Sequence, residues 1–150
     1  MHNSEKVMLT NMCMIYDNDG NVLVQNRKKS WLGYAFPGGH VESSELITDS
    51  TIREVKEETG LDISNLELCG IKQWFKPEEG RNICFLYKTC SFSGDLISTD
   101  EGENKWGKLS EIKELNLAHT FDSMLDIFLN NNLSELYLQR IDKELRIIEK

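Results

Sequence analysis

The 150 residues contain no apolar run approaching the roughly 20 that a helix needs to cross a bilayer, so no membrane-spanning role is expected. Cysteine is sparse and irregular: Cys13, Cys69, Cys84 and Cys90 show no CxxC spacing and lie among apolar neighbours, which reads as reduced, structural thiols. With only two prolines, and no Pro/Gly/Ser-rich tract, repeat or low-complexity segment, nothing marks a linker between domains. Basic residues are also in deficit, 17 against 25 acidic ones, for a formal net charge of -8. That balance argues against a nucleic-acid polymer as partner, because phosphate backbones are held by clustered Lys and Arg. It leaves room for a small phosphorylated ligand if divalent cations stand between the two negative partners. The opening MHNSEKVMLT lacks the basic-then-apolar order of a secretory signal, so the cytoplasm is the expected compartment.

What is present fits an ordinary globular chain, with 39% hydrophobic and 28% charged residues. A chain of this length buries about 70% of its unfolded surface and is expected to form one domain over residues 1–150. VMLTNMCMIYD (Val7 to Asp17) and VLVQ (Val22 to Gln25) read as strands joined into a hairpin at the Asp-Gly pair of DNDGN. Leu66 to Phe75 and Asn82 to Cys90 read as a second antiparallel pair, turning near Pro77 and Gly80. A helix is expected from Leu46 to Thr59, ended by Gly60, with two more at SEIKEL and FDSMLDIFLN. Leu133, Tyr137, Ile141, Leu145 and Ile148 recur three or four apart, which predicts a tail helix over about 133–148 with an apolar stripe. That stripe would either cap the core or join two copies, leaving monomer and homodimer both open. The expected class is a mixed α/β (α+β) layer fold.

The central helix poses a question. At about 100° per residue, Glu54, Glu57 and Glu58 share one face while Ile52, Val55 and Thr59 form the other. Like charges at i,i+4 repel, and surface helices usually interleave them with Lys or Arg, as Arg53 and Glu57 do here. Glu54 and Glu58 instead face each other with the same sign. Hard cations such as Mg²⁺ and Mn²⁺ prefer oxygen ligands, so a bound metal would supply the missing counter-charge. Upstream, Pro37, Gly38 and Gly39 form a loop whose glycines let backbone carbonyls approach an ion.

Gly39, five residues, Glu45, seven residues, then Arg53-Glu54-Val55-Lys56-Glu57-Glu58-Thr59-Gly60-Leu61 resembles the complete signature of the Nudix hydrolases. The signature spans 23 residues, and the order of strands and helices around it is similar to the Nudix α/β/α sandwich with a mixed β-sheet. AFPGGHVE, the GIK segment and EGE before Trp106 resemble the MutT-like branch of 8-oxo-dGTP diphosphatases. The resemblance implies hydrolysis of a nucleoside diphosphate linked to another group, with Mg²⁺ required and Mn²⁺ as a substitute. It implies metal ligation by Glu57, Glu58, Glu54 and the carbonyl of Gly38, with Glu54 alternatively handling the attacking water. Arg53 and Glu45 would pair and hold loop and helix in register, beside Gly39. Which glutamate is the base stays open. Asp100, Glu101 and Glu103 in STDEGENKW are rivals for an extra ligand or base, Glu103 being preferred over Glu101.

The implied substrate is a nucleoside triphosphate, an oxidised or non-standard purine deoxynucleotide such as 8-oxo-dGTP, cut to the monophosphate and pyrophosphate. Trp31, Tyr34, Phe36, Trp74 and Trp106 are candidate stacking surfaces, and His119 in NLAHTFD is the candidate base-reading side chain. Pro77, sixteen residues beyond Leu61, resembles a proline of ADP-ribose-cleaving members and supports ADP-ribose or another nucleoside-diphosphate-X substrate as the alternative. A Nudix-like sensor that only binds nucleotide is the third reading. It would be expected to have lost the metal-binding glutamates, all three of which are present here.

Overall fold

A computed structural model describes residues 2–150. In chain order the elements are β1 (Val7–Ile15), β2 (Asn21–Arg27), β3 (Gly33–Ala35), α1 (Ile47–Thr59), β4 (Asp62–Ser64), β5 (Glu67–Lys76), β6 (Gly80–Thr89), β7 (Ser91–Ser93), β8 (Gly102–Lys108), a 3-10 segment (Leu109–Glu114), α2 (Phe121–Leu129), β9 (Glu135–Ile141) and β10 (Glu144–Glu149). The main sheet is mixed, with strand order β1, β6, β5, β9, β10; β1–β6 and β5–β9 run parallel. β3, β2 and β8 make a second, antiparallel sheet. Side chains alternate across β1, so Met12 and Met14 enter a core with α2 residues Phe121, Met124, Leu125 and Phe128, while Cys13 and Ile15 enter another with Val55 of α1. Helices on the two faces of a mixed sheet make the expected α/β/α sandwich. Among the described residues no helix is long and apolar enough to cross a membrane.

α1 ends where its glycine allows it: Gly60 is left-handed at φ 80° and its N–H donates to the Lys56 carbonyl at 3.0 Å. The second expected pair is also present, β5 against β6, turning at Gly80 with φ 79°. The first expected hairpin is not. The Asp17 carboxylate accepts from the backbone N–H groups of Asp19 and Asn21, both at 2.9 Å, and organises the turn, but only Tyr16 and Val22 bridge across it. β1 instead pairs with β6, about 70 residues away, and β2 pairs with β3 and β8. SEIKEL forms a 3-10 segment rather than an α-helix. Nor are all four cysteines sheltered: Cys13 and Cys84 are buried and Cys69 is partly covered, while Cys90 is exposed.

The expected tail helix is a β-hairpin. Leu136 and Leu138 of β9 pair beside Lys72 and Trp74 of β5, and β10 folds back over a two-residue turn at Asp142 and Lys143, both with positive φ. Extending the sheet buries Leu136 completely and protects the β5 edge, which a tail helix would leave unpaired. Leu136→Ala is therefore expected to cost about 2–5 kcal/mol in urea denaturation, the range for truncating a fully buried leucine. A loss below about 0.5 kcal/mol would show that the hairpin is an appendage.

Candidate active site

The loop Pro37–His40 lies along β1 like an extra strand: Cys13 N–H donates to the Pro37 carbonyl and Asn11 N–H to the Gly39 carbonyl, both at 2.9 Å. Between them the Gly38 carbonyl takes no hydrogen bond among the described residues, leaving an oxygen for another partner. Asn11, buried, ties this loop to α1 by accepting from Gly39 N–H at 3.2 Å and donating to Ser50 Oγ at 2.9 Å. Close approach to backbone requires the first glycine, and the second leaves room for the end of an acidic side chain. A Cβ on Gly38 would collide with the Asn11 carbonyl, and one on Gly39 with the Glu54 carboxyl.

Arg53 organises the acids. Its Nε donates to Glu45 Oε2 at 2.8 Å and its Nη2 to Glu45 Oε1 at 3.0 Å, a bidentate pair. Nη2 also donates to the His40 carbonyl at 3.1 Å, while Nη1 reaches Glu54 Oε1 at 3.1 Å and Glu57 Oε2 at 3.4 Å. The Arg53 hydrogen bonds hold the Glu45 carboxyl down at about 2. Glu54 moves upward, because its burial outweighs Arg53. Glu58 is 7% exposed, and burial pushes its carboxyl up to about 7 despite the Gly38 N–H at 3.2 Å. Gln25 Nε2 also donates to it, at 3.4 Å, and Gln25 Oε1 beside it is buried without a partner.

Gly38, Gly39, His40, Glu54, Glu57 and Glu58 line an acidic cleft of about 770 Å³, which Arg53, Glu45 and Gln25 support without lining it. Among the described residues no three acidic, His or Cys side chains already converge as a metal cluster. Arg53 draws Glu54 and Glu57 to one side, and Glu58 turns inward to Gly38 and Gln25. The donor set nevertheless fits a hard divalent cation. It is all oxygen, it includes a free carbonyl, and Glu58 is a buried carboxylate with no positive partner at contact. Within the acid trio, the contacts of Arg53 to exposed Glu57, at 3.4 and 3.5 Å, are longer than that to Glu54 and more easily exchanged for an ion.

Other candidates fall elsewhere. Glu103 forms an exposed ion pair with Lys28 at 3.4 Å, and it is Asp100 and Glu101, each 3.3 Å from Lys29, that line the acidic cleft. Glu103, preferred from the sequence, does not line the cleft: it pairs in register with Asn26, and since the adjacent pair Gln25 and Asn104 faces Glu58, alternation puts Glu103 on the other face. Phe36 backs the cleft but has no exposed surface; its ring meets Phe121 and Phe128 edge-on at 4.8 and 5.1 Å, so it is core and not a stacking platform. Tyr34 lies against the core under Lys105 and lines neither of the two large clefts. His119 is exposed and borders a second cleft of about 740 Å³, walled by Trp31, Lys72, Trp74, Pro77 and Thr120. Trp106 stacks on Phe92 instead. Gln25 and Asn104, whose Nδ2 donates to the Glu58 carbonyl at 2.8 Å, are contacts that sequence reading missed. A polar residue closing the apolar run VLVQ was the available signal for Gln25.

The family model for the NUDIX domain matches residues 8–127. The chain belongs to the Nudix hydrolase family. Members act on pyrophosphate bonds and generally use divalent metal ions. It is 32% identical over 123 residues to an uncharacterized Nudix hydrolase, YvcI, of Bacillus subtilis, covering 78% of this chain and 76% of that one. An ADP-ribose pyrophosphatase of Methanocaldococcus jannaschii is 30% identical over 111 residues, 70% of this chain and 64% of that one. In structure it resembles a mutator MutT protein from Bacillus halodurans, with TM-score 0.75 and 26% identity over 93% of this chain and 97% of the other.

Glu58 gives this Nudix hydrolase a pH signature. A carboxyl raised from 4.5 to about 7 keeps its proton in the folded state where the unfolded chain has lost it, so metal-free stability falls as pH rises through that window. Relative to Glu58→Gln, metal-free wild-type protein is expected to lose on the order of 3 kcal/mol between pH 5 and pH 8 in urea denaturation. Parallel curves for the two proteins would show that the Glu58 carboxyl titrates normally.

Proposed function

We propose that this Nudix hydrolase cuts a nucleoside triphosphate, an oxidised or non-standard purine deoxynucleotide such as 8-oxo-dGTP, into the monophosphate and pyrophosphate with Mg²⁺, or Mn²⁺ in its place. The observation that carries the reading is the continuity of the two clefts: Trp31, Trp74 and Lys76 line both, so a phosphate chain at the acids leaves a flat ring at the indoles. Glu57, Glu58, Glu54 and the Gly38 carbonyl would hold the ion, which when bound neutralises phosphate charge and lowers the pKa of bound water. Glu54, partly buried with its carboxyl raised, is suited to take the proton of the attacking water as the phosphoanhydride breaks. Arg53 fixes its orientation. In this reading residues 1–150 form one domain, the tail hairpin completing its sheet, and the role is to clear damaged nucleotides in the cytoplasm.

A second reading has a specific observation behind it. Pro77 lines the aromatic cleft, and a relative of this chain is named an ADP-ribose pyrophosphatase. Product release from 8-oxo-dGTP, dGTP and ADP-ribose with Mg²⁺ separates the two. Pyrophosphate from 8-oxo-dGTP well above the others is expected; AMP from ADP-ribose as the dominant product would transfer the assignment to the second reading. Glu57→Gln, run beside it, should lower turnover at least ~100-fold, beyond the 10–100-fold typical of groups that only orient a ligand, while the melting temperature without metal stays level or rises. Near-normal turnover would remove Glu57 from the metal site.

A further inference from the structure

At the floor of the aromatic cleft lies a lysine that nothing so far explains. Lys72 is 6% exposed, yet no carboxylate pairs with it among the described residues. Its Nζ donates to Thr120 Oγ1 at 3.1 Å and lies 3.5 Å from Met124 Sδ, a weak acceptor. An ammonium has three N–H groups, so at least one is left without a good partner. Beyond these the charge faces two indoles: Nζ stands 5.0 Å from the Trp74 ring centroid and 5.7 Å from that of Trp31. Burial accordingly lowers the Lys72 pKa. A buried cation without its counter-group is costly unless something arrives to meet it.

The sheet register says where that something would come from. Lys72 pairs with Cys84 and Trp74 with Asn82, and these partners line the acidic cleft, so the lysine is one strand away on the same face of the sheet. The two more exposed cations near the junction are placed for phosphates: Lys76 lines both clefts and Arg27, stacked 4.6 Å from Trp31, lines the acidic one. Lys72 is deeper and flanked by flat rings. An acceptor atom on the edge of a planar group is what this position lacks.

We propose that Lys72 is a specificity-determining residue that donates to a keto oxygen on the nucleobase edge, selecting 6-keto purines over 6-amino purines. The inference rests on the nucleotide reading above. Guanine offers O6 to a lysine donor, and 8-oxoguanine retains that oxygen, whereas adenine presents an amino group whose hydrogens would point at the ammonium. Thr120 acts as a positioning residue. It is buried, left-handed at φ 65° at the start of α2, and its hydroxyl holds the ammonium in place.

Equilibrium binding of IMP, GMP and AMP to the full chain, followed by tryptophan fluorescence without metal, tests this. IMP differs from AMP at the 6-position and lacks the 2-amino group of GMP. Wild-type protein should bind IMP and GMP at least ~10-fold more tightly than AMP, in line with one good base-edge contact. Lys72→Met, close in length and apolar, should bring the IMP-to-AMP ratio to about one, with a melting temperature equal to or above wild type because a buried charge has been removed. Thr120→Val should lower the same ratio part of the way. Equal wild-type affinities for IMP and AMP, or a ratio that Lys72→Met leaves at the wild-type value, would overturn the proposal. Binding is read without turnover, so a chain that hydrolyses none of the triphosphates still answers this question, and a chain that hydrolyses them with equal base affinities fails here alone.

Discussion

The guanidinium of Arg53 is the contact on which the site's geometry depends. One planar group with fixed donors reaches Glu45, Glu54, Glu57 and the His40 carbonyl, and so joins the glycine loop to α1 at several points. Without it, acids at positions 45, 54 and 57 would stand close with nothing between them but solvent, and the loop would be held to the helix through Asn11, Ser50 and Glu58 alone. Lysine could not replace it, because a point charge on a flexible stem cannot hold Glu45 in a fork while touching two other carboxylates. Repulsion on the helix is thus met in two ways. Glu54 and Glu57 share Arg53, while Glu58 turns into the fold and, in the absence of a cation, retains its proton to near neutrality.

The two clefts are incomplete in opposite senses. Glu58 is a buried acid without a cation, and Lys72 is a buried cation without an acid. Each is tolerated through neutral partners, an amide N–H and a side-chain amide for one, a hydroxyl and two aromatic faces for the other. Among the described residues they do not pair with each other: Gln25 and Gly38 meet the first and Thr120 the second. A ligand with a metal-bound phosphate chain at one end and a keto-bearing ring at the other would complete both at once. Such a division favours substrate over free phosphate, because neither end alone removes both desolvation costs.

What the sequence made legible was local. α1, its left-handed glycine and the loop before it follow from short-range spacing, and the acids and Arg53 come with them. The strand pairings are non-local and were read less well. Val7 to Asp17 and Val22 to Gln25 look like a hairpin because Asp-Gly lies between them, yet a better partner for β1 exists in β6, whose alternate faces match both cores. The tail misled for a related reason. Leu133, Tyr137, Ile141, Leu145 and Ile148 fit a helical period, but Leu136 and Leu138 fit a strand period, and the free edge of β5 decides between them. Period alone cannot weigh an edge that another part of the chain leaves open.

Lys72 shows where the site itself exceeded the sequence. In LCGIKQWFK the alternation places Lys72 and Trp74 on one face, and a lysine within an apolar strand normally signals an exposed edge. Here β5 is central, with β6 on one side and β9 on the other, and the face that carries Lys72 is covered by Thr120 and Met124 at α2, so the same alternation carries the lysine inward. The tail hairpin is what makes β5 central. The element read wrongly from sequence adds Tyr137, Leu138 and Arg140 to the wall of the cleft that Lys72 floors, so the shape of that cleft depends on β9 staying paired as well as on β5 and α2.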